Sequence, residues 1–319
     1  MLKKIILSVS CIGFFFSYHA FAQDPEFTQF YANPLYLNPA FAGTANCPRL
    51  ISNYRNQWPG ISGTFVTFSA SYDQHVDFLG GGVGILLTHD RAGQGTLNTT
   101  NISAIYSYNL NVNKDFSMRF ALQPTFAQKA LDGSKLTFGD MIDARYGFIK
   151  STGETIGSPS VSNFDISAGV LGFSKLYFFG LAVNHLTQPN EAFTTTGLSP
   201  IPMKFTVHAG ATIPLEGKTG NASISPNIMY QRQGNFQQLN LGVYFTKGPI
   251  VGGLWYRNKD AFIALVGIQQ GKFKFGYSYD VTISRLSQKT AGSHEISVAY
   301  QMECLSTKKK FSTISCPSF

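Results

Sequence analysis

The sequence predicts an all-β fold: a transmembrane antiparallel β-barrel of an outer membrane, with about 14 strands, short periplasmic turns and long outer loops. Three observations support this fold: an export signal, a composition low in charge and rich in aromatics, and alternating segments long enough to cross a bilayer. Charged residues make up 13% of the chain and aromatic residues 14%, with 31 glycines. Soluble domains carry about a quarter charged residues, so this composition favours a membrane barrel.

The first 22 residues have the pattern of a secretory signal peptide. Lys3 and Lys4 precede a largely apolar run from Ile5 to Phe16, and Ala20-Phe21-Ala22 places small residues where a signal peptidase cleaves. No later stretch approaches the roughly 18 uninterrupted apolar residues of a membrane-spanning helix. The chain is therefore predicted to be exported and to cross a membrane with strands.

Strands are predicted from alternation of apolar and polar residues, the period-2 pattern of a strand with two different faces. In 273–283, for example, aromatic and aliphatic residues alternate with Lys274, Gly276, Ser278 and Asp280. The stretches 164–173 and 261–269 alternate poorly, so the count could differ by two. The predicted strands are 49–57, 63–73, 80–89, 96–108, 116–128, 164–173, 176–187, 203–213, 222–233, 236–246, 250–257, 261–269, 272–283 and 294–302.

The lengths of the connections predict an orientation. The three longest, 129–163, 188–202 and 284–293, all follow odd-numbered strands. Bacterial outer-membrane barrels have short periplasmic turns and long outer loops, which would place both termini in the periplasm. The predicted domains are a signal peptide, 1–22; an extended periplasmic segment or plug, 23–48; the barrel, 49–302; and a periplasmic tail, 303–319.

A soluble all-β secreted protein is the alternative fold, since it also alternates and also contains turn signals. The low charge argues against it, as do aromatic residues near strand ends, which are typical of the interface girdles of membrane barrels. These aromatic residues are Tyr72, Tyr106, Tyr108, Tyr177, Phe178, Tyr244, Phe245 and Tyr300.

The net charge is +8, and loss of the signal peptide lysines leaves about +6. In an exported protein this balance argues against nucleic-acid binding and favours solvated loops, anionic lipid headgroups or acidic partners. Three cysteines follow the signal peptide in a compartment that permits disulfides. A Cys304–Cys316 bond would hold the C-terminal tail, and pairing of either residue with Cys47 remains open.

No residue pattern predicts a catalytic, cofactor or metal site. The histidines of the mature chain are scattered, and the local pairs His89-Asp90 and His75 with Asp77 have no nucleophile elbow nearby. The glycines of 80–84 open a predicted strand rather than a helix, which excludes a nucleotide-binding loop and favours close packing or a bend. Acidic residues of the longest loop fit no EF-hand spacing; they are Asp132, Asp140, Asp143 and Glu154.

Several motifs resemble one family. After the signal peptide the chain reads Gln23-Asp24-Pro25-Glu26-Phe27-Thr28-Gln29-Phe30-Tyr31-Ala32-Asn33-Pro34, with Leu37-Asn38-Pro39-Ala40-Phe41-Ala42-Gly43 close behind. Later motifs occur in the order Tyr54-Arg55-Asn56-Gln57-Trp58-Pro59-Gly60, Leu136-Thr137-Phe138-Gly139-Asp140, 177–189, 275–284, 292–297 and 316–319. This ordered series resembles the PorP/SprF family, outer-membrane components associated with the type IX secretion system of Bacteroidota.

The resemblance implies an integral outer-membrane barrel that is not an enzyme. It would hold periplasmic or outer-membrane secretion machinery, or one large secreted cargo or gliding adhesin with a C-terminal sorting domain. A porin-like channel for small solutes is the alternative function, because a barrel of this size has a lumen unless something fills it. A hydrolase would rest only on the scattered histidines.

The segment from Asp24 to Pro48 is the candidate partner-binding element. Its two Asn-Pro steps disfavour helix and predict an extended, turn-rich chain. The segment could plug the barrel lumen or dock a periplasmic protein, and the sequence leaves both open. Its candidate contact residues are the aromatics Phe27, Phe30, Tyr31, Tyr36 and Phe41.

Overall fold

The chain forms a closed barrel. The computed structural model describes residues 23–45, 47–93, 95–153, 159–193, 196–215, 222–283 and 290–304. The predicted signal peptide and nearly all of the predicted C-terminal tail lie outside these residues. Within the described part of the chain, fourteen long strands pair antiparallel in one sheet whose two ends meet.

The strands follow one another around the barrel in chain order. Their bounds are β1 Arg49–Gln57, β2 Phe65–Val76, β3 Gly81–Ala92, β4 Leu97–Asn111, β5 Phe116–Leu131, β6 Ser160–Ser174, β7 Tyr177–Asn184, β8 Lys204–Ala211, β9 Ala222–Gln233, β10 Phe236–Lys247, β11 Ile250–Arg257, β12 Ala261–Gln270, β13 Phe273–Thr282 and β14 Ser293–Gln301.

Pairing of the first and last strands closes the barrel. In the β1–β14 register, Arg49 lies opposite Gln301 and Gln57 lies opposite Ser293. The predicted barrel of fourteen strands is confirmed. Boundaries differ mainly around the longest loop, where β5 extends to Leu131 and β6 begins at Ser160, because these two strands pair beyond the predicted ends, as far as Ala130 opposite Ser160.

The two mouths of the barrel differ. We call the end with connections 132–159, 185–203 and 283–292 the long-loop mouth, and the end with the two-residue turns 248–249 and 271–272 the short-turn mouth. The loop 132–159 contains the 3-10 turns Gly133–Lys135 and Gly139–Met141 and a small hairpin of Ile142–Asp143 with Gly147–Phe148. The short-turn mouth carries the 3-10 turn Asp77–Leu79 and the two-residue strand Ile213–Pro214.

The barrel wall is apolar outside and polar inside. On β13, for example, Phe275 and Tyr277 are exposed on the outer surface, whereas Ser278 and Asp280 are buried in the interior. This distribution is that of a barrel whose outer surface faces lipid. Among the described residues no helix is long and apolar enough to cross a membrane.

The two strands that alternate poorly have apolar residues on both faces. On β12, Ile263 and Leu265 point inward and are buried, and on β6 Leu171 and Phe173 do the same. All four belong to an apolar cluster that includes aromatics of the N-terminal segment. The interior is apolar there because the barrel contains a piece of its own chain, which is why the alternation fades.

A disulfide joins the two ends of the barrel wall. Cys47 bonds Cys304, with Cα atoms 4.4 Å apart. Of the pairings that the sequence left open, the structure shows Cys47 with Cys304 rather than Cys304 with Cys316, and Cys316 lies outside the described residues. The physical reason is the β1–β14 pairing, which brings the start of β1 and the end of β14 together at the short-turn mouth.

Candidate functional site

Residues 23–45, which we call the lumen segment, run through the barrel interior from one mouth to the other. Asp24 lies at the long-loop mouth, where its backbone N–H donates to Oε1 of Gln233, the last residue of β9, at 3.1 Å. Gly43 lies at the short-turn mouth, where its N–H donates to Oδ2 of Asp73 at 2.8 Å. Gln23 and Cys304 therefore lie at opposite mouths, whereas the sequence predicts both termini on one side; residues 305–319 lie outside the described part of the chain.

The lumen segment is made of short helical turns rather than extended chain. The turns are Phe30–Ala32, Pro34–Leu37 and Pro39–Phe41, and the second and third each begin at the proline of an Asn-Pro step. Proline disfavours helix in the residue before it but fits the first helical position, which needs no N–H donor. Asn38 caps the third turn by accepting from the Ala40 N–H at 2.9 Å.

The five aromatics pack inside the barrel. Phe27, Phe30, Tyr31 and Phe41 are all at most 6% exposed, and Tyr36 is half-buried. They meet rings of the wall at distances typical of aromatic packing. The pairs are Phe30–Trp255 at 4.9 Å, Tyr31–Phe178 at 5.4 Å and Phe41 stacked on His208 at 5.4 Å, while Phe27 packs on Tyr36 at 5.0 Å. Of the two alternatives left open by the sequence, the structure shows packing in the lumen.

An ionic network at the level of Thr28 holds the lumen segment to the wall. Oε2 of Glu295 accepts from the Thr28 N–H at 2.6 Å and from its hydroxyl at 2.9 Å. Arg55 donates to the Thr28 hydroxyl at 3.0 Å and to Asp280 at 3.0 Å. Gln29 continues the contact by donating to the backbone carbonyl of Glu295 at 2.9 Å. These groups are fully buried, and buried charges persist in proteins when they are paired in this way.

A second polar contact lies nearer the short-turn mouth. The backbone carbonyl of Ala42 accepts from the hydroxyl of Ser107 and from Arg119, each at 2.6 Å. Asp73, which binds the Gly43 N–H, is itself paired with Arg49 at 2.9 Å. The end of the lumen segment is therefore held through its own backbone groups, which bind polar and charged side chains of the barrel wall.

Two wall glycines make room for the lumen segment. A Cβ atom at Gly82 would lie 2.2 Å from the carbonyl oxygen of Ala42, and one at Gly169 would lie 2.1 Å from Oδ1 of Asn38. Glycine in a strand often marks such a close approach of another backbone. The glycine-rich start of β3 is thus explained by close packing, as the sequence predicted.

At the long-loop mouth an anionic–cationic cluster holds the start of the segment. Nε2 of His185 lies 2.9 Å from Oδ2 of Asp24, and Nδ1 lies 2.7 Å from Oδ2 of Asp165. Lys204 approaches the same Asp24 oxygen at 3.7 Å. Glu26 adds a contact of its own by accepting from Gln238 at 3.1 Å.

The cluster fixes the charge states of Asp24 and His185. Burial alone would lower the pKa of His185, but the carboxylates of Asp24 and Asp165 outweigh it and raise the pKa to about 10. Burial would raise the pKa of Asp24, but Lys204 and His185 outweigh it and hold the pKa well below its ordinary value. At neutral pH His185 is therefore an imidazolium that donates from both ring nitrogens.

Above this cluster lies an open cavity of about 1430 Å³, which we call the vestibule. Its floor includes residues 23–26 of the lumen segment, and its walls include the strand ends of the long-loop mouth and residues of the loop 185–203. Lys129 and Glu191, paired at 2.6 Å, cross one side of it. The vestibule is large enough for a peptide-sized ligand.

The predicted chemical candidates lie apart from one another. His75 pairs with Asp77 at 3.3 Å near the short-turn mouth, whereas His89 contacts Thr100 at 2.9 Å rather than Asp90. In the longest loop Asp140 accepts from Thr152 and from the Gly153 N–H, so it holds the loop to itself. Among the described residues no three His, Cys, Asp or Glu side chains are placed to hold a metal. Glu154 lies outside the described residues.

Sequence reasoning missed the residues that hold the lumen segment. Arg55, Asp280 and Glu295 form the interior network, and Asp24 and His185 meet at the long-loop mouth; the five residues come from separate parts of the chain. A signal was present, because charged residues at polar-face positions of strands are rare in a chain with 13% charge. Such residues need partners in the interior, so they predict that something polar fills the lumen.

The comparison of the whole sequence with protein families gives a direct result. Residues 19–300 match the family described as "Type IX secretion system membrane protein PorP/SprF". The chain belongs to the PorP/SprF family. The predicted family is thereby confirmed, and its description places this outer-membrane barrel with the type IX secretion system. No curated protein matches the chain.

Solved structures that resemble this family member are other membrane barrels. The KdgM porin is 11% identical, with a TM-score of 0.37, over 80% of this chain and 99% of the porin. Omp33 of Acinetobacter baumannii is 8% identical, with a TM-score of 0.45, over 82% and 100%. A FadL homologue of Pseudomonas aeruginosa is 10% identical, with a TM-score of 0.46, over 89% and 100%. The barrel assignment rests on this chain's own strand pairing, not on these likenesses.

Proposed function

We propose that this PorP/SprF protein is a non-catalytic outer-membrane component of the type IX secretion system. It holds periplasmic machinery, or a C-terminal-signal cargo or gliding adhesin, at the cell surface. The observation that carries the proposal is the lumen segment, which occupies the barrel interior from Asp24 to Gly43. A barrel filled by its own chain is suited to holding partners at its mouths rather than to passing solutes.

Each mouth carries an exposed apolar side chain that a partner could cover. Phe78, in the turn after β2 at the short-turn mouth, is 87% exposed, and Leu198, in the loop 185–203 at the long-loop mouth, is 89% exposed. With the long loops outside, Phe78 would face periplasmic machinery and Leu198 would face surface cargo.

The test is a deletion strain complemented with tagged protein. Loss of secretion or surface display of C-terminal-signal proteins on deletion, restored by the tagged chain, supports the proposal; unchanged secretion and display would contradict it. Mass spectrometry of partners captured from detergent-solubilised outer membrane then assigns the branch. Phe78→Ala should release periplasmic partners and Leu198→Ala should release cargo, so each variant is the matched control for the other.

A solute channel is the second candidate, favoured by the vestibule of about 1430 Å³ at one mouth. Its test is conductance in planar bilayers for the full mature chain and for a chain lacking residues 23–45. A holding protein with a filled lumen should conduct little until the segment is removed. High conductance of the full chain would favour the channel.

A further inference from the structure

We infer that the mature chain is threaded through its own barrel, so that its N-terminal residues 23–26 are presented on the outer face of the cell, in the floor of the vestibule. This inference concerns the topology of the chain and does not rest on the proposed function. It assigns to the outer surface a segment that strand order alone would leave in the periplasm.

The contacts at the long-loop mouth place the start of the segment there. The groups that hold Asp24 are at strand ends beside the long loops: Gln233 ends β9, Lys204 begins β8 and His185 directly follows β7. Gln23 is exposed and lines the vestibule. Four independent contacts to Asp24, two of them with Gln233, fix this end in one position.

The contacts at the other mouth place the end of the segment there. Ala42 and Gly43 contact Ser107, Asp73 and Gly82, which lie near the turns 77–80 and 112–115. The disulfide of Cys47 to Cys304 follows directly. The lumen segment thus crosses the barrel interior once, from the long-loop mouth to the short-turn mouth, in the direction opposite to β1.

The side on which residues 23–26 lie follows from the loops. Outer-membrane barrels place long loops outside and short turns in the periplasm, so the long-loop mouth is the outer one. The C-terminal end of β14 leaves the barrel at the short-turn mouth, on the periplasmic side. Gln23 and the end of β14 are therefore on opposite sides of the membrane.

The test is cysteine labelling in a Cys316→Ser background, which leaves the Cys47–Cys304 disulfide in place. Three positions are changed to cysteine, one at a time. Pro25→Cys (P25C) is in the vestibule lining, Asn258→Cys (N258C) is in the turn 258–260 at the long-loop mouth, and Lys272→Cys (K272C) is in the turn 271–272 at the short-turn mouth. A membrane-impermeant maleimide is applied to intact cells and to permeabilised cells. We expect P25C and N258C to react in intact cells, and K272C to react only after permeabilisation.

Labelling of P25C only after permeabilisation, together with K272C, would overturn the inference. So would labelling of K272C in intact cells with P25C and N258C protected, since the long-loop mouth would then face the periplasm. If P25C is unreactive under both conditions, a cysteine in a Gly-Ser spacer is inserted after Gln23 and labelled in the same way. Its reaction in intact cells would support the inference. Its reaction only after permeabilisation, or no reaction at all, would contradict exposure of this end. Heat-modifiable migration in gels confirms that each variant is folded.

Discussion

The side chains of Asp24 and His185, 161 positions apart in the chain, meet with Nε2 of His185 2.9 Å from Oδ2 of Asp24. One residue belongs to the lumen segment and the other to the loop after β7. Their contact therefore ties the start of the lumen segment to the mouth of the barrel. The strength of this attachment decides how firmly the lumen stays filled.

Asp24→Asn should loosen the start of the lumen segment. The substitution leaves Lys204 without its carboxylate and removes one of the two anionic partners of His185. We expect a loss of about 1–3 kcal/mol in the free energy of unfolding, and faster proteolysis of residues 23–30 in liposome-reconstituted protein. Urea unfolding and limited proteolysis measure the two effects.

The control is Asp115→Asn, whose side chain is 80% exposed and, among the described residues, pairs with Lys175 at 3.5 Å. Exposed pairs contribute little, so this variant should unfold like the parent. Equal behaviour of the two variants would show that the Asp24 cluster does not hold the segment.

The attachment should weaken in alkaline solution. Folding raises the pKa of His185 from 6.5 to about 10. A base whose pKa is raised by folding contributes stability that is fully present below its unfolded pKa and is lost as the pH rises through its folded pKa. Proteolysis of residues 23–30 should therefore increase between about pH 7 and pH 10.

His185→Gln separates this effect from other alkaline titrations. The glutamine variant should be cleaved faster than the parent at pH 7 and should lose the additional increase towards pH 10. A parent and a variant with the same pH profile would contradict the role of the imidazolium.

Gly82→Ala should displace the lumen segment. The added Cβ would lie 2.2 Å from the Ala42 oxygen and 2.7 Å from the Gly43 Cα, which are backbone atoms with little freedom to move. We expect a loss of about 1–3 kcal/mol, the usual cost of overpacking. The fluorescence of Trp255, which packs on Phe30 in the interior, reports unfolding in urea.

The matched control is Gly252→Ala on β11, where a Cβ would meet nothing within 4 Å. Substitutions at such open positions usually change stability by less than about 0.5 kcal/mol. If the Gly252 variant were as unstable as the Gly82 variant, the loss of stability would come from alanine in the strand rather than from contact with the lumen segment.

Glu295→Gln should destabilise the interior network. Removing the charge leaves Arg55 with Asp280 as its remaining acidic partner and weakens the bonds from Thr28. Breaking a buried pair by removing one partner costs about 3–5 kcal/mol, and we expect the lower end because Asp280 remains. Glu303→Gln, which breaks an exposed contact with Lys272, should have no measurable effect on urea unfolding.

Cys304→Ser should open the covalent link between the ends of the wall. Removal of a disulfide that closes a long loop typically costs about 2–4 kcal/mol, so this variant should unfold at lower urea concentration. Non-reducing peptide mapping should recover the Cys47–Cys304 pair in the parent protein. Cys316→Ser should unfold like the parent, and a Cys304–Cys316 peptide in the map would contradict the pairing.

The fold was largely predictable because its pattern is local. Alternation along 273–283 needs only one strand with a lipid side and an interior side, and the connection lengths reflect a barrel with two unequal mouths. The same reasoning failed where the interior is not simply polar. Ile263 and Leu171 belong to the same buried apolar cluster as Phe30 and Phe41. The local pattern of a strand does not show that the N-terminal segment lies against it.

The sequence by itself determined a barrel of fourteen antiparallel strands, the family, and an N-terminal segment rich in aromatics that had to be covered by something. Only the tertiary structure decided that the barrel covers it, that its start lies at the long-loop mouth, and that Cys47 bonds Cys304. The reason is distance along the chain: Thr28 and Glu295 are 267 positions apart, and Cys47 and Cys304 are 257 apart. Contacts between residues so far apart in the chain form only once β1 pairs with β14 and closes the barrel around the lumen.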